Sequence, residues 1–86
     1  MAALYTVQCF WPGVTEDELR AAAARAGTDA GFRGAYLLQD DDLVLALFEG
    51  ESARAVRHAG ERAGMPCERV IEAVWIAPSS RPEEER

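Results

Sequence analysis

Six consecutive apolar residues, Leu43 to Phe48, constrain the fold of this chain more than any other segment. A run of this length is too short to span a bilayer, and it is typical of a strand that is covered on both faces. The sequence therefore predicts a domain built around a sheet, with this segment as one of its central strands.

The segments around this run carry further strand signals. Leu4 to Trp11 is rich in aromatic and β-branched residues and stops at Pro12-Gly13, which is typical of a strand followed by a turn. We predict further strands over 33–39, 43–49 and 68–76. Asp40-Asp41-Asp42, between the second and third strands, predicts a hairpin turn more than a calcium loop, because it lacks the ligand spacing of such a loop.

Two helices are predicted between these strands. Thr15 and Glu18 have the spacing of a capping box, in which each side chain accepts a hydrogen bond from a backbone N–H at the start of a helix. Gly27 is expected to end this helix in a left-handed conformation. Ser52 is expected to cap a second helix that runs to the residue before Gly64, and small apolar residues form its buried stripe: Val56, Ala59 and Ala63.

The order of elements predicts an α+β fold of the ferredoxin-like βαββαβ type. With right-handed crossovers, the four strands form one antiparallel sheet with the first and third in the middle and both helices on one face. We expect residues 1–76 to form this single domain and residues 77–86, with two prolines and three consecutive glutamates, to form a flexible C-terminal tail.

The second face of this sheet is left bare unless something covers it. Side chains alternate along a strand, so Thr6 and Gln8 share one face of the first strand. We assign these two residues, Tyr36 and Glu72 of the last strand to the bare face. A face that mixes apolar residues with a few polar groups is typical of a pairing surface or a ligand pocket.

Composition excludes several classes of function. A net charge of −6 disfavours nucleic acids and anionic membranes as partners. The N-terminal residues lack the basic and apolar regions of a signal peptide, and two cysteines are too few for a disulfide scaffold, so we expect a cytoplasmic protein. A chain of 86 residues has a thin core, and a homodimer would add buried surface.

Three segments resemble the small actinobacterial nickel-binding-protein family. They are the turn from Pro12 to Thr15, the stretch from Leu47 to Ala53, and the stretch from Ala63 to Val74. The resemblance covers roughly residues 4–76 and implies a ferredoxin-like subunit that dimerises through its sheet, as in dimeric α/β-barrel proteins, with metal on the dimer surface. Many members of the family carry a histidine at the position of Gly60.

A metal site is one candidate function. His58 is the sole histidine, and Glu61 lies three residues later, so both could bind a divalent metal such as nickel from one side of the second helix. The alternative is that His58 lies on a solvated helix face beside Arg54 and Arg62, whose positive charges repel a cation.

The two cysteines are a second candidate. Cys9 ends the first strand and Cys67 precedes the last, and the fold makes these strands antiparallel neighbours. Adjacent thiols would allow a soft-metal site or a redox pair, whereas separated ones would be small core residues.

Two hypotheses of function compete on these residues. The first is a homodimeric binding protein for a nickel-like metal or a small ligand, with Thr6, Gln8, Tyr36 and Trp11 contacting the ligand. The second is a cofactor-free isomerase, cyclase or monooxygenase in which Glu72, partly desolvated inside the dimer, acts as acid or base. A purely structural or regulatory dimer is a third hypothesis. We expect Trp11 and Trp75 to be packing residues, and the alternative for Trp11 is that it forms the rim of a pocket.

Overall fold

The computed structural model describes residues 2–27 and 31–78. The order of elements is β1 (Ala3–Phe10), α1 (Glu16–Ala26), β2 (Phe32–Leu38), a 3₁₀ turn (Gln39–Asp41), β3 (Leu43–Gly50), α2 (Ala53–Arg62) and β4 (Cys67–Ala73). The predicted loop residues 28–30 and the predicted tail residues 79–86 lie outside the described residues.

The four strands form one antiparallel sheet in the order β2-β3-β1-β4. The predicted βαββαβ arrangement is therefore confirmed, with the first and third strands in the middle. Both helices pack on one face of the sheet. Their buried residues meet those of the strands in one cluster, which contains Tyr5, Val7, Cys9, Leu19, Ala22, Ala26, Val44, Ala46, Phe48, Val56, Ala59, Ala63 and Met65.

Side-chain caps define the starts of both helices as predicted. The Glu18 N–H donates to Thr15 Oγ1 at 3.1 Å, and the Thr15 N–H donates to Glu18 Oε1 at 2.9 Å, which completes the capping box. The Ala55 N–H donates to Ser52 Oγ at 3.1 Å at the start of α2. These bonds satisfy backbone donors that have no partner within the helix.

The two helices end differently. Gly64 adopts the left-handed conformation expected after α2, with φ of 84°. The same expectation for Gly27 is wrong, because its φ is −63° and its N–H continues the helical pattern with a 2.8 Å bond to the Ala23 carbonyl. Gly27 itself therefore ends the first helix in a right-handed conformation.

The predicted hairpin between β2 and β3 is confirmed. Asp42 closes it with a positive φ of 52°, a conformation that aspartate tolerates better than most residues. Its carbonyl accepts a hydrogen bond from the Trp11 N–H at 2.7 Å, and its carboxylate accepts one from the Gly13 N–H at 3.4 Å. This aspartate thus ties the hairpin to the turn that follows β1.

The last strand is shorter than predicted. It ends at Ala73, which pairs with Leu4 close to the start of β1, so the partner strand runs out at this point. Val74, Trp75 and Ile76 follow with 78%, 71% and 79% of their surface exposed. The prediction that Trp75 is a packing residue is therefore wrong. No helix in the described part of the chain has the length and hydropathy needed to cross a lipid bilayer.

Candidate functional site on the open sheet face

Strand register determines which side chains lie on the sheet face that the helices leave uncovered. Residues directly opposite each other on antiparallel strands point to the same side. We call this side the open face, and it carries Leu4, Thr6, Gln8 and Phe10 of β1, Leu43, Leu45, Leu47 and Glu49 of β3, Gly34, Tyr36 and Leu38 of β2, and Arg69, Ile71 and Ala73 of β4.

Large apolar side chains dominate the open face. Phe10 is 53% exposed and Tyr36 is 62% exposed, while Leu45 and Leu47 of the central strand are half-buried by their neighbours. The doubly apolar sequence of β3 now has its explanation, since Val44, Ala46 and Phe48 face the helices and the leucines face the other way. Nothing within residues 2–27 and 31–78 covers these leucines as a second layer.

Three polar side chains lie within this apolar surface. Thr6, Gln8 and Tyr36 share the open face, as predicted, because Gln8 and Tyr36 both pair with Leu45 and Thr6 pairs with Leu47. Gln8 and Tyr36 stand on either side of Leu45, about 10 Å apart at two strand spacings. A ligand lying over Leu45 could contact both.

The open face has a depression at the position next to Tyr36 on this side of β2, where a glycine replaces a side chain. Gly34 pairs with Leu47, and a Cβ atom added at this glycine would meet no heavy atom within 4 Å. Its φ of 136° is one that residues with a side chain rarely adopt. The open face is therefore lower at this point, beside the aromatic ring of Tyr36.

Charged groups on the open face lie near its margins. Arg69 is on the edge strand β4, opposite Gln8. Glu49 lies at one end of β3 and forms an ion pair with Arg33 of the edge strand β2. The centre of the face is thus free of formal charge, and its hydrogen-bonding groups are neutral.

The predicted position of Glu72 is wrong. Glu72 pairs with Tyr5, which is buried on the helix side, so its carboxylate lies on the face opposite Thr6 and Gln8. It is nevertheless exposed, because β4 is an edge strand and neither helix covers this end of it. A polar residue at such an edge is tolerated on either face, which is why its polarity misled the sequence prediction.

Trp11 also lies away from the open face. It is half-buried and packs against the helix-side core, so its predicted packing role is confirmed. Its alternative role, as a rim to the pocket beside Thr6 and Gln8, is not supported by this placement.

The predicted metal ligands lie on the outer side of the helix layer. His58 and Glu61 are both exposed on α2. Within the described residues, no group of three or more histidine, cysteine, aspartate or glutamate side chains is arranged to hold a metal ion. A metal site built on these two residues would need further ligands from another copy of the chain or from solvent.

Position 60 has a packing role in this chain. A Cβ atom on Gly60 would lie 2.7 Å from Cys67 Sγ and 3.9 Å from a methyl group of Val7. The glycine therefore lets α2 approach the sheet where Cys67 lies, and a histidine at this position would displace that thiol.

The two cysteines are adjacent, so the condition set for a thiol site is met. Cys9 and Cys67 are register partners on β1 and β4, and both are free. The Cys9 thiol donates to the Val7 carbonyl at 3.9 Å, and the Cys67 thiol donates to the Met65 carbonyl at 3.5 Å. The interaction with the Cys67 thiol, together with burial, raises the pKa of Cys9. The interaction with the Cys9 thiol lowers the pKa of Cys67, and the Arg57 guanidinium acts in the same direction, against burial and the charge of Glu61.

Arg57 is a residue that sequence reasoning missed. Its guanidinium donates to the Cys67 carbonyl at 3.0 Å and to the Glu68 carbonyl at 3.5 Å, which fastens α2 to the start of β4. Its position one turn before Gly60 places it on the side of α2 that approaches β4. A cleft of about 320 Å³ between α1 and β2, lined in part by the ion pair of Glu16 and Arg20 at 2.7 Å, was also missed.

Comparison with known proteins supports the fold. No protein-family model matches the chain, and no curated protein matches it. Among solved structures, the crystal structure of SCO4226 from Streptomyces coelicolor A3(2) is similar, with a TM-score of 0.75 and 26% sequence identity. The match covers 87% of this chain and 100% of the Streptomyces chain, so the two share the same small fold over nearly their whole length.

Proposed function

We propose that this protein is a homodimer that binds a small ligand between the open faces of two copies. The observation that carries the proposal is the apolar open face with Thr6, Gln8 and Tyr36 within it. A contiguous apolar surface of this kind on a small domain is characteristic of an interface, and convergent polar groups within such a surface are characteristic of a ligand site.

The size of the open face suits a second copy. Eight residues of β1 at about 3.4 Å each, and four strands at about 4.8 Å, give a flat footprint of roughly 500 Å². The accessible surface area of the face is larger than this flat area, because side chains project from it. It therefore approaches the roughly 800 Å² per partner that stable interfaces bury. The uncharged centre also matters, because two chains of net charge −6 repel each other least where neither presents a charge.

The chemistry of the face indicates the class of ligand. Leu45, Leu47 and the ring of Tyr36 favour a largely apolar molecule, and the neutral amide and hydroxyl groups favour one or two hydrogen-bonding atoms on it. Arg69 at the margin suits a ligand with an anionic group at one end. The enzyme hypothesis is weaker, because Glu72, its acid or base, lies on the other face.

The metal form of the proposal depends on other residues. Nickel bound by His58 and Glu61 would lie on the outside of the helix layer, and the support for it is the resemblance described above. Two ligands per chain give a weak site unless a dimer doubles them.

Oligomeric state tests the first half of the proposal. Size-exclusion chromatography with light scattering should give the mass of two chains for the wild type and of one chain for Leu47→Glu, which places a charge at the centre of the open face. Ala24→Glu, on the exposed side of α1, is the matched control and should remain dimeric. A wild-type monomer at all concentrations would refute the proposal.

Ligand retention tests the second half. Native mass spectrometry of the purified dimer should detect a retained small molecule, and Tyr36→Phe, which removes a single hydroxyl, should weaken its retention. Calorimetric titration with Ni²⁺ on the wild type and on His58→Ala separates the metal form, which is wrong if binding is absent or unchanged by the substitution.

A further inference from the structure

Cys9 and Cys67 lie opposite each other on adjacent strands, where two sulfur atoms can come within bonding reach. They are direct partners on neighbouring antiparallel strands. Regular partners of this kind have Cα atoms about 4.5–5.5 Å apart, within the range of roughly 4.4–6.8 Å found in disulfides, and this pair adjoins the register shift between Gln8 and Cys9. Both side chains lie on the helix side of the sheet, and each thiol influences the ionisation of the other.

The two thiols differ in their access to solvent. Cys9 is completely buried, whereas Cys67 is partly exposed at the start of β4. Oxidants from solvent therefore reach Cys67 first. Cys9 lies behind it, where it can react with Cys67 but with nothing in solution.

The surroundings of Cys67 favour its reactive, ionised form. The neighbouring Cys9 thiol, which can donate a hydrogen bond to a thiolate, and the guanidinium of Arg57 together lower the pKa of Cys67. Glu61 on the same helix opposes this effect, and Glu68 raises the pKa of Cys9, so the proton stays on the buried sulfur. An accessible thiolate beside a buried thiol is the arrangement of a reacting and a resolving cysteine.

We propose that Cys9 and Cys67 form a redox dithiol, which a hydroperoxide converts to a disulfide that joins β1 to β4. In the first step, the Cys67 thiolate attacks one oxygen of the peroxide, the O–O bond breaks, and Cys67 becomes a sulfenic acid while the other oxygen leaves and takes up a proton. In the second step, Cys9 loses its proton and its sulfur attacks Cys67 Sγ, which releases the hydroxyl group as water. Two electrons pass from the two thiols to the peroxide.

This inference is independent of the proposed function. The thiols lie on the helix side of the sheet, whereas the proposed dimer interface is the open face. Because Cys9 is in a central strand and Cys67 in an edge strand, the disulfide would fasten the last strand of the sheet to its middle.

Thiol counting on the full-length protein tests the proposal. After incubation of the folded wild type with hydrogen peroxide and then denaturation, we expect the loss of both thiols and a peptide in which residues 9 and 67 are linked within one chain. Dithiothreitol should restore both thiols. Two thiols that remain free, or a disulfide between chains, would overturn the proposal.

Single-cysteine variants separate the two roles. In Cys9→Ala and Cys9→Ser, Cys67 has no resolving partner, so dimedone should trap its sulfenic acid. In Cys67→Ser, the buried Cys9 should remain unmodified under the same conditions. Modification of Cys9 at the same rate as Cys67 would contradict the assigned order. The wild-type measurement needs no variant, so the test holds even if a substitution impairs folding.

Discussion

The absence of a side chain at Gly60 allows α2 to pack closely against the sheet. It lies where α2 crosses β4, and an added methyl group would come within 2.7 Å of Cys67 Sγ. In a solvated helix, alanine is favoured over glycine by about 0.8–1.0 kcal/mol. In a packed interior, an extra methyl costs about 1–3 kcal/mol. At this buried position the packing cost outweighs the helix preference.

Gly60→Ala is therefore expected to lower the free energy of unfolding by about 1 kcal/mol, as measured by urea denaturation. The matched background is Cys67→Ala, which removes the sulfur atom that the new methyl would meet. In that background Gly60→Ala should be neutral or stabilising. An equal loss in both backgrounds would show that the sulfur atom is not the obstacle.

The cysteine pair also predicts a pH dependence. The pKa of Cys67 is lower in the folded protein than its ordinary value of 9.0, so the folded chain loses this proton at a pH at which the unfolded chain still holds it. The free energy of unfolding therefore rises with pH up to pH 9.0. The pKa of Cys9 is raised in the folded protein, so above pH 9.0 the unfolded chain loses a proton that the folded chain keeps. The free energy of unfolding therefore falls as the pH rises further.

Alkylation by iodoacetamide measures the first of these effects. The pH midpoint for modification of Cys67 should lie below 9.0 in the wild type. Cys9→Ala removes the hydrogen-bond donor and should move the midpoint to higher pH, whereas Cys9→Ser keeps a donor and should move it less. Identical midpoints in all three proteins would exclude the thiol contact as the cause.

At the scale of the element, most of the secondary structure follows from signals local in the sequence. The capping residues Thr15 and Ser52 and the left-handed Gly64 act through bonds within a few residues, so the sequence was sufficient to predict both helices and the order of strands. The face of β4 depended on its register against β1. That register shifts between Gln8 and Cys9, an irregularity with no local signal, so alternation along β4 did not show which of its faces meets the helices.

The capping box supplies a prediction for α1. Thr15→Ala removes the acceptor for the Glu18 N–H and should cost about 0.5–2 kcal/mol in the free energy of unfolding, measured by urea denaturation followed by circular dichroism. Thr15→Ser keeps an acceptor at the same place and is the matched control. A loss of similar size in the serine variant would assign the effect to the methyl group of Thr15 instead of its hydroxyl.

At the scale of the whole molecule, the two faces of the sheet have unequal shares of the packing. The helix side holds the buried cluster, and the open face leaves Phe10, Tyr36 and Ile71 in contact with solvent in a single chain. A domain of this size buries little apolar surface in its own core. Surface buried between two copies would therefore contribute a large part of its free energy of unfolding.

Thermal stability should accordingly depend on protein concentration. If folding and association are coupled through the open face, the melting temperature of the wild type rises with concentration in differential scanning calorimetry. Leu47→Glu should melt at a lower temperature that is the same at every concentration, and Ala24→Glu should behave as the wild type. A wild-type melting temperature that does not change with concentration would argue against coupled association.

The position of β1 between β3 and β4 has a consequence for how the chain is made. The first strand to leave the ribosome pairs with strands that begin at residues 43 and 67, so it has no partner while the first half of the chain is being synthesised. The β2–β3 hairpin, joined by a short turn, can close earlier. We therefore expect the apolar side chains of β1 to be open to chaperones until β3 has emerged, and the pairing with β4 to complete the sheet last.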